Sequence, residues 1–71
     1  MTINDMINAG ITIEGEIEIR TCDNEDGGVI VIHEGYADEL DENEWYMDKE
    51  ISYMFAYKND YSTVLCFELA N

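Results

Sequence analysis

The chain has 71 residues, of which 17 are Asp or Glu and only three are Lys or Arg, for a formal net charge of −14. Its 46% hydrophobic content and its aromatic side chains exclude a disordered acidic tail, because such segments lack the residues that build a core. The length allows one domain, residues 1–71, with a thin core and little room for a deep substrate pocket.

Thr2 is placed to N-cap a short helix, with Asp5 three residues on to accept from the orphan amides and face the positive end of the dipole. Ile3, Met6 and Ile7 share one stripe, and Gly10 suits a left-handed C-terminal cap, so residues 2–9 read as a two-turn helix. From Ile11 the period becomes two. Ile11, Ile13, Ile17 and Ile19 alternate with Thr12, Glu14, Glu16, Glu18 and Arg20, which predicts a strand over 11–21 with one wet face. The turn-forming run 23–28 then leads into the β-branched run Val29 to His33, completing a hairpin.

Residues 35–48 break the alternation with Asp38, Glu39, Asp41, Glu42, Glu44 and Asp48, between which Leu40, Trp45 and Met47 are scattered. This reads as an acidic connection whose Leu40 and Trp45 help to cover the sheet. A second hairpin follows. Ile51, Tyr53, Phe55 and Tyr57 form one face of its first strand, Lys58-Asn59-Asp60 turns, and Thr63, Leu65, Phe67 and Leu69 form one face of its second. The order predicts an α+β fold: a short N-terminal helix packed on a four-stranded antiparallel sheet made of two hairpins, with Ile17, Ile19, Phe55 and Phe67 inward.

No phosphate loop, dinucleotide fingerprint or nucleophile at motif spacing from the single His33 is present, so an enzyme is not expected. Cys22, His33 and Cys66 offer ligand types that zinc accepts, yet their spacing matches no finger or ribbon and the hairpin separates Cys22 from His33. Zinc therefore stays a minor candidate, and otherwise no cofactor is expected. The two cysteines read as free thiols of a reducing compartment. The start Met1-Thr2-Ile3-Asn4-Asp5 is unlike a signal peptide, and no apolar run approaches the roughly 20 residues of a membrane helix, which places the chain in a cytoplasm.

The acids themselves are the stronger signal. Glu14, Glu16 and Glu18 share one strand face at a pitch of about 6.6–6.8 Å, not far from the step between phosphates on a nucleic-acid strand. Residues 34–50 add eight acids against one Lys. Such crowding costs stability through self-repulsion, which favours a use for the field over a merely solvated surface. The natural complement is a basic surface built for nucleic acid. Trp45 and Tyr46 are the aromatic candidates for an anchor, with Tyr46 expected to point outward and Trp45 to pack on the sheet.

Two stretches, 2–19 with its Ile13-Glu14-Gly15-Glu16-Ile17-Glu18-Ile19 core, and Trp45 onward with Glu50-Ile51-Ser52-Tyr53-Met54-Phe55 and Val64-Leu65-Cys66-Phe67-Glu68-Leu69, resemble small phage-encoded proteins. Short acidic members of that group include anti-CRISPR proteins, several of which inhibit Cas9 by covering surfaces for guide RNA or target DNA. The resemblance implies a phage counter-defence protein acting in the cytoplasm of the infected bacterial host. Its expected partner is a CRISPR effector such as Cas9 or another basic nucleic-acid-binding protein, without direct contact to nucleic acid or membrane. The expected contact residues are Glu14, Glu16, Glu18, Asp38, Glu39, Asp41, Glu42, Glu44, Trp45 and Tyr46. The alternative is a zinc-stabilised or accessory phage protein whose acidity serves solubility or assembly.

Overall fold

The capping signal at the N-terminus is realised first. In the computed structural model, which describes residues 1–23, 25 and 27–70, helix α1 runs over Ile3–Asn8. The Thr2 hydroxyl accepts from the Asp5 amide at 3.0 Å, and the Asp5 carboxylate accepts from the Thr2 amide at 2.9 Å, a reciprocal capping box. Gly10 follows with φ of 87°, a conformation that glycine adopts without a Cβ clash, and the helix stops there. Ile3 and Met6 are buried, whereas Ile7 is 39% exposed, because so short a helix buries only a narrow stripe.

Strand β1 covers Glu16–Cys22, β2 Val29–Tyr36, β3 Ile51–Lys58 and β4 Thr63–Leu69. The expected strand from residue 11 begins only at Glu16. Gly15 has φ of 88°, which breaks the extended run, and Ile11 is left 47% exposed. Of the turn read over 23–28, Asn24 and Asp26 lie outside the described residues.

Both expected hairpins form, as antiparallel pairs β1–β2 and β3–β4. The sheet they build is mixed and not purely antiparallel. Its order is β2-β1-β4-β3, and β1 and β4 run parallel, with Ile17 opposite Leu65 and Ile19 opposite Phe67. The cause is the connection between the hairpins. It leaves one edge strand, β2, and enters the other, β3, so it crosses the whole sheet, and β4 then returns beside β1 in the same direction.

That crossing segment, with α1, is the lid. It holds two 3₁₀ turns, at Ala37–Glu39 and Trp45–Asp48, and the second places Tyr46 and Met47 in the core with Ile3, Met6, Ile17, Ile19, Phe67 and Leu69. Leu40 packs at the core's margin, as expected. The Asn4 amide ties the lid together by donating to the Glu42 carbonyl at 3.0 Å and to Asp48 Oδ1 at 2.9 Å. Among the described residues only one sheet face is covered in this way, and the molecule measures 36 × 30 × 17 Å, a sheet with one further layer.

A bulge at the start of β3 corrects one more expectation. The register passes from Ile51 opposite Leu69 to Tyr53 opposite Glu68, so Ser52 is the extra residue. Ile51 thus keeps to the core side while Tyr53, Phe55 and Tyr57 turn to the opposite face, and Phe55 lies opposite Cys66 instead of facing inward. Phe67, Ile17 and Ile19 are fully buried as expected.

Candidate functional site

Two groups of acidic residues lie on opposite sides of the sheet. The first belongs to the crossing connection. Asp38, Glu39, Asp41, Glu42, Glu44 and Asp48 are all exposed. Local geometry holds several in place: Glu39 Oε1 accepts from the Tyr36 amide at 3.0 Å, and Asp41 Oδ1 from the Asn43 amide at 3.0 Å. Glu14, also exposed, precedes β1 and lines a depression with Tyr36 and Asp38, so it belongs with this group.

The aromatic assignments are reversed. Tyr46 is only 8% exposed, while Trp45 is 61% exposed and meets Tyr46 edge-on at 5.8 Å between ring centroids. In the tight 3₁₀ turn Tyr46 and Met47 point at the sheet, and Trp45 is turned outward. Burial, reinforced by Glu44 and Asp41, raises the pKa of the Tyr46 phenol. At the foot of Trp45 lies an apolar notch of about 190 Å³ lined by Thr21, Ile32, Trp45, Lys49, Leu69 and Ala70. An exposed indole over an apolar notch, among exposed acids, is the composition of an interface anchor with a charged rim.

The second group sits on the face that carries no lid. The expected row Glu14, Glu16, Glu18 does not form there, since Glu14 is outside the strand and Glu18 is 8% exposed. Glu18 is consumed by the fold. Its Oε2 lies 3.6 Å from Arg20 Nη1, and its Oε1 accepts from the Tyr57 hydroxyl at 3.1 Å. Cys66 Sγ donates to it at 3.6 Å. Arg20 also approaches Glu68 at 3.9 Å and lies over the Phe55 ring, 4.7 Å from its centre. Glu16 accepts from the Ser62 hydroxyl.

Arg20 is the hub of this face, a role that the sequence pattern alone does not predict. The available signal was one cation in step with Glu16 and Glu18 at a spacing of two, in a chain with three cations in all. Burial pushes the Cys66 thiol up to about 11 against the pull of Arg20. Burial and the hydrogen bond to Glu18 also raise the Tyr57 phenol.

The metal candidates are not brought together. His33 lies on the lidded side opposite Ile19, 6.0 Å from the Tyr46 ring, while Cys22 and Cys66 lie on the open face. Cys22 donates to Glu68 Oε1 at 3.4 Å, which raises its pKa. Among the described residues no group of three or more His, Cys, Asp or Glu is arranged to hold a metal ion. Among them, too, no helix is long and apolar enough to cross a membrane.

Comparison with known proteins finds no matching family model, no similar curated protein and no similar solved structure.

Proposed function

We propose that this is a binding protein, not an enzyme, that docks on a basic, nucleic-acid-handling surface of a bacterial effector such as Cas9 and blocks its access to nucleic acid. Trp45 carries this reading: it stands 61% exposed over an apolar notch, within a segment whose acids are exposed and far outnumber its one lysine. The acids of 38–48, with Glu14, attract Lys and Arg positions that otherwise hold phosphates, and steer the encounter. Trp45 then supplies desolvated contact area that slows release. Glu18 has no part in this contact, because its charge is spent on Arg20, Tyr57 and Cys66.

The resemblance to anti-CRISPR proteins supports the choice of partner, and with it the proposal that the encounter takes place in the cytoplasm of the infected host. A pull-down of purified CRISPR effectors by the immobilised protein, at low and high salt, tests the proposal. Capture that fades with salt supports it. Capture of none contradicts it and leaves the accessory-protein alternative, in which the charge serves solubility or assembly.

A further inference from the structure

The unlidded face of the sheet has its own organisation. At one end, Val29 and Val31 on β2 and Tyr53 on β3 are 49%, 48% and 58% exposed. In the middle, Phe55 and Tyr57 continue from Tyr53 as a ladder of rings at 5.1 and 6.2 Å between centroids, with Arg20 laid over Phe55. At the other end lies a concavity of about 310 Å³ lined by Glu16, Glu18, Glu34, Tyr57, Asn59 and Val64. Glu34 stands directly opposite Glu18 across the β1–β2 pair, and of the two only Glu18 is offset by Arg20. The cation of this face, Arg20, is committed to Glu18, Glu68 and Phe55. Among the described residues, neither Glu16 nor Glu34 has an ion pair.

We infer that this open face is a second docking surface, and that its occupant is an extended segment of a partner protein with apolar residues at one end and a Lys or Arg at the other. Charge complementarity selects the basic end. An ammonium or guanidinium entering between Glu16 and Glu34 meets two carboxylates that have no ion pair among the described residues and lies beside the ring of Tyr57, a carboxylate-and-aromatic setting that favours cations. The same argument disfavours a second copy of this chain, which brings another −14 of charge to the contact. The span fits a short peptide: Val29 and Glu34 are five residues apart on one strand, about 16 Å, so a segment of six or seven extended residues reaches both ends. The apolar end then covers side chains that the fold leaves half in water.

The test is selection of a displayed random heptapeptide library on the folded protein, followed by affinity measurement of the enriched peptides as free, labelled probes. The expected peptides carry at least one Lys or Arg and apolar residues at the other end. Their affinity falls tenfold or more on Glu34→Lys and on Tyr53→Ser, and is unchanged by Trp45→Ala. Glu34 and Tyr53 are exposed, so both variants keep the fold, which a melting curve checks. Three outcomes overturn the inference: no enrichment, enriched peptides without a cation, or binding indifferent to Glu34→Lys. Sedimentation showing a dimer that Tyr53→Ser dissolves also overturns it, in favour of self-association. Because Trp45→Ala spares this binding but is expected to weaken effector capture, failure of either surface is read separately from the other.

Discussion

Arg20 lies with Nη1 3.6 Å from Glu18 Oε2 on the sheet face opposite the lid, which no other described element covers, and the pair is nevertheless largely shielded. Two aromatic neighbours contribute: the Phe55 ring, whose centre is 4.7 Å from the guanidinium carbon, and Tyr57, whose hydroxyl donates to the carboxylate. Arg20→Ala therefore strands a buried carboxylate and removes the contact with Phe55. The expected loss is about 2–3 kcal/mol, below the ~3–5 kcal/mol of a fully buried pair because Arg20 retains some exposure. Urea denaturation measures it, and Arg20→Ala with Glu18→Gln should recover part of the loss.

The lid should be as important to stability as the sheet. Met47 is fully buried between α1 and the sheet although it sits in a 3₁₀ turn of the connection. Met47→Ala is expected to cost about 2–4 kcal/mol, a large share of what so small a domain has. Ile17→Glu, which places an unpaired charge in the same core, should abolish the cooperative thermal transition.

Alkaline pH should weaken the fold through Cys66. Its thiol is pushed up to about 11 from an ordinary 9.0, so above pH 9 the unfolded chain gives up a proton that the folded chain keeps. Stability is then fully present below about pH 9 and declines as pH rises toward 11. The raised phenols of Tyr46 and Tyr57 add to the decline above pH 10. Denaturation at pH 8 and pH 10.5 measures the difference, and Cys66→Ala should flatten the part due to the thiol. Consistent with its burial, Cys66 should react with a thiol reagent only on unfolding, whereas half-buried Cys22 reacts in the native state.

Where local chemistry decides structure, the sequence was readable. Thr2, Asp5 and Gly10 mark α1 because capping involves only neighbours, and alternation around Ile17, Ile19 and Phe67 identifies the buried sheet face. The pairing of β1 with β4 depends on the path of a fourteen-residue connection, about which period-two alternation says nothing. Ser52 shows the limit most plainly, since one bulge residue sends Phe55 to the other face while Ile51 stays inward. At the site, the exposed acids of 38–48 were legible as a charge run. The exchange of Trp45 for Tyr46 was not, because a 3₁₀ turn has no long apolar stripe to betray its inner side. Nor was the burial of Glu18, which rests on side chains from three different elements: Arg20, Tyr57 and Cys66.

The two parts of the proposed contact should separate kinetically. Asp41→Lys, Glu42→Lys and Glu44→Lys together should slow association about tenfold or more with little change in dissociation, because rim charges act on encounter. Trp45→Ala should instead speed dissociation by about 30-fold, as removal of an anchor worth ~2 kcal/mol does. Glu16→Lys, on the other side of the sheet, should leave both rates unchanged.

The central claim, that exposed acids around Trp45 bind a basic effector surface, is tested most directly by surface-bound kinetics against a captured CRISPR effector over a series of salt concentrations. The account predicts an association rate that falls steeply as salt rises and that the triple Asp41, Glu42, Glu44 reversal removes even at low salt. An association rate independent of salt and untouched by that reversal would contradict it.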